Sequence, residues 1–297
     1  MYNVFAEIEQ FAKWGMAMKV TVYTPESSMS NPLRMARAMF ADLWAGRELA
    51  WRLAVRDISA QYRRSFLGIL WALILPLANT LVWLFLNGSG IVQLQETPIP
   101  YPVYVFSGTM LWAVFMASIS SPMQQTAANS GMLAKLNFPK EALVLSGIYK
   151  NLFDSLIKVA LMLCILPVFH VHPGWRLALF PLGVASLILA GTAIGLMLTP
   201  IGMLYSDIGR ALPLVLQFFM YVSPVVFAIP KTGWLVKVFL LNPVTPLILN
   251  ARDWLTGQPP EMLGFFVAVN VGAFVLLLVS WMAYRLCMPI LVERLSA

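Results

Sequence analysis

RDISAQYRRSFLGILWALILPL, residues 56 to 77, changes character at its middle. Arg56, Asp57, Arg63 and Arg64 fall within nine residues, and after Arg64 no charge appears until Glu96. The uncharged half opens a run that continues past Leu77 to the length of a membrane-crossing helix, which takes about 20 apolar residues. The basic half reads as a helix lying against the headgroups beside it. Trp51, Val55, Ile58, Tyr62 and Phe66 fall within about 80° of arc on a helical wheel. Arg52, Arg56 and Arg63 flank that stripe, with Asp57 and Arg64 opposite it. An apolar stripe edged by arginines suits an interfacial amphipathic helix.

Composition points the same way. Of the 297 residues, 60% are hydrophobic and 11% charged, with a mean hydropathy of +0.77, whereas soluble domains carry about 25% charged residues. Such a chain cannot clothe itself in polar side chains, so lipid is its solvent. Residues 1–45 hold acids and scattered lysines with no continuous apolar core, which is not the pattern of a secretory signal peptide. Cys164 and Cys287 are far apart in apolar surroundings and read as unpaired thiols. The net charge of +7 concentrates upstream: nine of the 20 lysines and arginines precede Leu67. That placement suits a membrane surface rather than nucleic acid.

Working outward, the apolar runs give six spans: Leu67–Leu86, Pro102–Ser121, Leu143–Phe169, Leu177–Leu204, Ala211–Ile229 and Met262–Tyr284. The fourth contains GTAIGLMLTPIG, whose small residues permit close helix contact. With both termini inside, fourteen lysines and arginines are cytoplasmic and four (Arg176, Lys231, Lys237, Arg252) are outside, the asymmetry that sets orientation. Residues 230–261 carry two apolar runs too short to cross, parted by Asn242-Pro243. They read as a re-entrant helical hairpin, the alternative being a loop lying on the headgroups. The fold class is therefore an all-α membrane protein. A leader at 1–45 and an amphipathic helix at 46–66 precede a transmembrane domain at 67–290, with a cytoplasmic segment at 122–142 inside it.

Four stretches, in order, resemble the permease subunits of ABC-type polysaccharide exporters. The basic helix leads into a LGxLWxxxxP signature through Arg56, Asp57, Tyr62, Arg63, Leu67, Gly68, Leu70, Trp71 and Pro76. GMLAKLNFPKEALVLS carries Lys135, Phe138, Pro139, Lys140 and Glu141. YSDIGRALPLVLQFFMYVSPVVF carries Asp207, Arg210, Pro213, Gln217, Ser223 and Pro224, and LNPVTPLI carries Asn242 and Pro243. The likeness covers about residues 47–290. Two features depart from it: a leader longer than many members carry, and Asn137 where the family has an aromatic residue before the Phe-Pro pair.

The resemblance implies a homodimeric permease of the bacterial inner membrane, with both termini cytoplasmic, working with two copies of a nucleotide-binding ATPase subunit that holds ATP and Mg. The cargo is then a lipid-linked polysaccharide, with O-antigen-type lipopolysaccharide ahead of capsule and teichoic acid. The gate helix would offer Arg56, Asp57, Tyr62, Arg63 and Arg64 to the lipid head, or anchor on bulk anionic lipid. Lys135, Phe138, Pro139, Lys140 and Glu141 would meet the ATPase, as a short coupling helix ended by Phe138-Pro139. The residues agree that energy must come from elsewhere: no G-x-x-x-x-G-K-[ST] occurs, nor any Gly-Lys pair. The expectation is a permease without catalytic residues, cofactor or metal of its own. A secondary transporter would need ion-coupling residues and often shows internal repeats.

Lys150, Asp154 and Lys158 share one face of the third span. Either they border a polar conduit, or Lys150 snorkels to the surface while Asp154 and Lys158 neutralise each other. Among the aromatics, Trp112, Phe115 and Tyr221 are the candidates for a lining along which sugar rings slide. His170 and His172 stand without further ligands near them and read as loop residues.

Overall fold

A computed structural model describes residues 32–63, 68–89, 97–136, 138–230 and 232–296. Arg64, Phe66, Leu67, Asn137, Lys231 and the leader before Pro32 lie outside them. The chain divides into two units, residues 1–41 and 42–297. Of the first, only the opening of helix α1 (Pro32–Arg63) is described. The rest of α1 and all later elements belong to the second.

After a 3-10 turn at Gly68–Leu70 come α2 (Trp71–Gly88), α3 (Tyr101–Ala128), the six-residue α4 (Ser130–Lys135) and α5 (Glu141–Val168). A 3-10 turn at Gly174–Leu179 leads into α6 (Phe180–Leu204). The chain continues through α7 (Ser206–Tyr221), α8 (Leu235–Leu241), α9 (Val244–Thr256) and α10 (Leu263–Ser296). No strand occurs among the described residues. Among the described residues, four helical stretches are long and apolar enough to cross a membrane: Tyr101–Ala128, Glu141–Val168, Gly174–Leu204 and Leu263–Glu293.

The core sits between α3 and α6, and small residues explain why. Gly191 lies against Ser118 and the Phe115 carbonyl, and Gly195 against the Ile119 backbone. A Cβ at Gly195 would overlap that carbonyl, so the axes approach to backbone contact. α5 and α10 flank this pair and are largely exposed, with apolar faces such as Val271, Phe274 and Val275. An apolar face of that extent belongs in lipid or against another chain.

Three boundaries differ from the sequence reading. The amphipathic helix begins at Pro32 rather than residue 46. The segment at 122–142 is not one piece: 122–128 complete α3, α4 stands apart, and Glu141 opens α5. The fifth expected span, Ala211–Ile229, is helical only to Tyr221, because Ser223-Pro224 ends it in irregular backbone. Proline supplies no N–H to the preceding turn.

Candidate functional site

At one end of the bundle α1, α4, α5 and α10 converge. Leu53 of α1, Leu133 of α4, Leu143 and Val144 of α5, and Tyr284, Met288 and Leu291 of α10 form a second apolar cluster, with Leu49, Met132 and Phe138 packed on it. α1 approaches through its small side chains: Ala50 and Ala54 are buried, and Gly46 lies against Ala142. Its large residues point outward, Trp44 at 70% exposed and Trp51 at 60%. The predicted stripe therefore faces away from the protein over Trp51 and Val55, while Tyr62 at its far end is half-buried.

A polar network overlies this cluster. Arg285 of α10 donates to Asp42 of α1 at 2.5 Å and to the buried Glu141 of α5 at 3.0 Å. Tyr284 Oη donates to the Lys140 carbonyl at 3.4 Å and lies 3.5 Å from Thr126 Oγ1. Burial holds the Lys140 ammonium below its usual pKa, with the Arg285 charge acting in the same direction and Glu141 against it. Arg56 bridges Asp57 at 2.9 Å and Asn129, the residue before α4, at 3.0 Å. Nearly two turns further along α1, Tyr62 donates from Oη to Asp154 at 3.1 Å, and its ring packs edge-on to Phe153. Burial and then the Asp154 charge push Tyr62 up to about 12, so it stays a donor across the physiological range.

The predicted site residues thus divide. Arg56 and Asp57 pair on α1, Tyr62 bonds separately to Asp154 of α5, Arg63 is exposed, and Arg64 is not among the described residues. Lys135 closes α4 and is exposed beside Leu136, which is 60% exposed and escaped the sequence reading. α4 ends at Lys135, ahead of the Phe138-Pro139 pair expected to stop it. Phe138 and Glu141 point into the protein, and Pro139 and Lys140 are half-buried. Asp154 accepts from Tyr62, and among the described residues no ion pair within 4 Å joins it to Lys158. Trp112 and Phe115, expected to line a conduit, are 3% and 2% exposed, tilted on each other 5.5 Å apart in the core. Tyr221 is exposed, its ring tilted against Trp83 of α2 at 6.1 Å, beside exposed Phe218 and Phe219. His170 and His172 are exposed in a turn, and no metal-binding group of His, Cys, Asp or Glu occurs among the described residues.

At the other end, sequence reasoning missed Arg252. It was counted among outside loop charges, yet it is 2% exposed. Its Nη2 donates to the Pro224 and Val225 carbonyls at 2.8 and 3.0 Å, and its guanidinium lies 3.7 Å over the Tyr104 ring. The signal available was an Arg-Asp pair inside the apolar run LILNARDWLT.

The model of the ABC-2 type transporter family matches residues 48–255. The O-antigen export system permease protein RfbA of Myxococcus xanthus is 27% identical over 212 residues, covering 70% of this chain and 80% of that protein. RfbA of Klebsiella pneumoniae is 23% identical over 206 residues, covering 67% and 76%. The polysialic acid transport protein KpsM of Escherichia coli is 26% identical over 208 residues, covering 68% and 78%. The matched region runs from helix α1 through the convergent end of the bundle to the buried arginine of α9, and on that extent the chain belongs to the ABC-2 type transporter membrane family.

Proposed function

We propose that this chain is the transmembrane subunit of an ATP-driven exporter of a lipid-linked polysaccharide, O-antigen-type before capsule or teichoic acid. Two copies form the passage, and a separate ATPase subunit, also in two copies, supplies the energy. The chain is a multi-pass inner-membrane protein with cytoplasmic termini and six crossings, α2 and α7 adding to the four long stretches. α8 and α9 form a re-entrant hairpin from the outer side.

The observation that carries this reading is the convergence of α1, α4, α5 and α10 in one cluster joined by Arg285. A push on α4 is thereby felt by the helix that meets the headgroups and by the longest helix of the bundle. The exposed Lys135 and Leu136 are the surface offered to the ATPase; Phe138 and Glu141 hold that surface in place. On α1, an open groove of ≈ 510 Å³ beside Trp44, Arg47, Glu48, Trp51 and Tyr149 lies at the level where a lipid head would arrive. Arg56 and Arg63 are the guanidinium donors for its phosphate. The passage lining rests on α7, through Phe218, Phe219 and Tyr221, with Lys150, Asp154 and Lys158 bordering it on α5. Trp112 and Phe115 serve packing.

The test is co-purification of the chain with an ATPase subunit, then ATP-dependent movement of lipid-linked glycan in vesicles. Lys135→Glu with Leu136→Ala should leave the chain folded and its gate helix docked, while ATP hydrolysis no longer drives export. Undiminished coupling in that variant, or glycan movement by the chain alone, overturns the reading.

A further inference from the structure

Burying a guanidinium is expensive unless its charge is paired. Arg252 is buried, and among the described residues no carboxylate lies within ion-pair distance of it. Its Nε and Nη1 have no acceptor, and Oδ2 of the neighbouring Asp253 has no donor. What the guanidinium does touch is the irregular backbone after α7, through the Pro224 and Val225 carbonyls, and the Tyr104 ring. Tyr104 Oη donates to the same backbone, to Pro224 O at 3.3 Å and Phe227 O at 3.2 Å. Gly108, one turn along α3 from Tyr104, leaves the room: a Cβ there would overlap both Arg252 Nη2 and the Val225 carbonyl.

The helix held by this contact is otherwise lightly held. Along α7 only Leu212 and Leu216 are buried, while Leu214, Val215, Phe218 and Phe219 are exposed. α9, by contrast, is seated on α6, where Ala251 meets Gly183 at backbone distance. Arg252 and, beside it, Asn242 donating to Val222 O and Ser223 Oγ, tie a loosely packed helix to the rigid part of the bundle. A methionine or leucine at 252 would fill the site without the desolvation cost. A half-satisfied arginine is the better solution where the contact must also come apart, because the released guanidinium regains water and the freed carbonyls do too.

We infer that Arg252 is a latch: a positioning residue that holds the outer end of α7 against α9 and α3 in the resting state and lets go when the passage opens. This deepens the export reading by naming the contact that governs α7, and it is tested independently of transport. In full-length protein with Cys164 and Cys287 replaced by serine, and diluted with an excess of unlabelled copies so that only pairs within one copy are read, spin labels at exposed Leu214 on α7 and exposed Leu182 on α6 report the distance between the two helices. The resting protein should give one distance. Arg252→Gln removes the guanidinium and Gly108→Ala displaces it, and each should bring up a second distance. Loss of one charged hydrogen bond raises the minor population about tenfold or more. Arg252→Lys, which keeps charge but not the fork, should fall between. An unchanged single distance in folded Arg252→Gln and Gly108→Ala protein overturns the latch. So does a second distance in Gly108→Ala alone, because it would then arise from α3 and not from the arginine. Absence of ATP-driven export by the unmutated complex would sink the export reading and leave this result standing.

Discussion

Arg285→Met tests whether the convergent end is held by one shared cation. The substitution removes the donor to both Glu141 and Asp42, while methionine suits the neighbourhood of Met288 and Leu291. Glu141 is 4% exposed, so it would remain a buried carboxylate without its bonded partner, costing about 3 kcal/mol. Asp42, with its side chain 31% exposed, rehydrates and adds only about 0.5 kcal/mol. Glu141→Gln alone leaves Arg285 its bond to Asp42 and should cost about 1–2 kcal/mol. The double variant has no stranded charge, so its loss should fall short of the sum of the singles by about 2 kcal/mol. Equilibrium unfolding in mixed micelles of graded denaturing-detergent fraction measures all four corners of this cycle. Additivity within about 0.5 kcal/mol would refute the reasoning, since it would mean that Glu141 is not waiting on Arg285.

Gly195→Ala should cost about 1–3 kcal/mol, because the new methyl meets the Ile119 carbonyl and α3 and α6 must part; the readout is thermal stability of the detergent-solubilised chain. Asp253→Asn should raise the melting temperature most at pH 8, less near pH 5, and leave it unchanged only at about pH 3, below both pKa values. Burial lifts Asp253 from 3.8 to about 7, with Arg252 opposing and the Glu261 charge assisting. The folded state therefore keeps a proton that the unfolded chain gives up, and stability falls as pH rises from about 4 through 7. Asparagine mimics the protonated acid and removes that slope; a pH-independent shift would contradict it. Tyr62→Phe deletes the bond to Asp154 and should speed hydrogen exchange at 58–63 by about tenfold without unfolding α5. Unchanged exchange would place the anchoring of α1 elsewhere.

The long apolar helices were legible because lipid imposes a length and forbids charge: the expected second, third, fourth and sixth spans each overlap a long helix over most of their length. The glycines of GTAIGLMLTPIG pointed to close packing, and Gly191 and Gly195 deliver it. The end of α7 was not legible. The apolar run continues to Ile229, and what catches the freed carbonyls is Arg252, 27 and 28 residues away. Arg252 itself looks from sequence like any outside charge, since its ring partner Tyr104 comes from α3, far away in the chain. Aromatic identity likewise carries no direction: Trp112 and Tyr221 are alike as interfacial residues, yet one is core and the other exposed. The Tyr62–Asp154 bond spans 92 positions, and no local pattern announces it.

One dimension of α10 has a mechanical consequence. Its 34 residues make a rod about 50 Å long, against a hydrocarbon thickness of about 30 Å. About 20 Å must stand clear of the hydrocarbon or be taken up by tilt. With the sixth span at Met262–Tyr284 as expected from the sequence, the stretch after it, carrying Arg285 and Met288, falls in that surplus. Seated on α6 as on a fulcrum, such a rod multiplies angle into travel: rocking by about 10° sweeps a tip about 25 Å from the pivot through about 4 Å. Small rotations at one membrane face would then arrive at the other as displacements the size of a side chain.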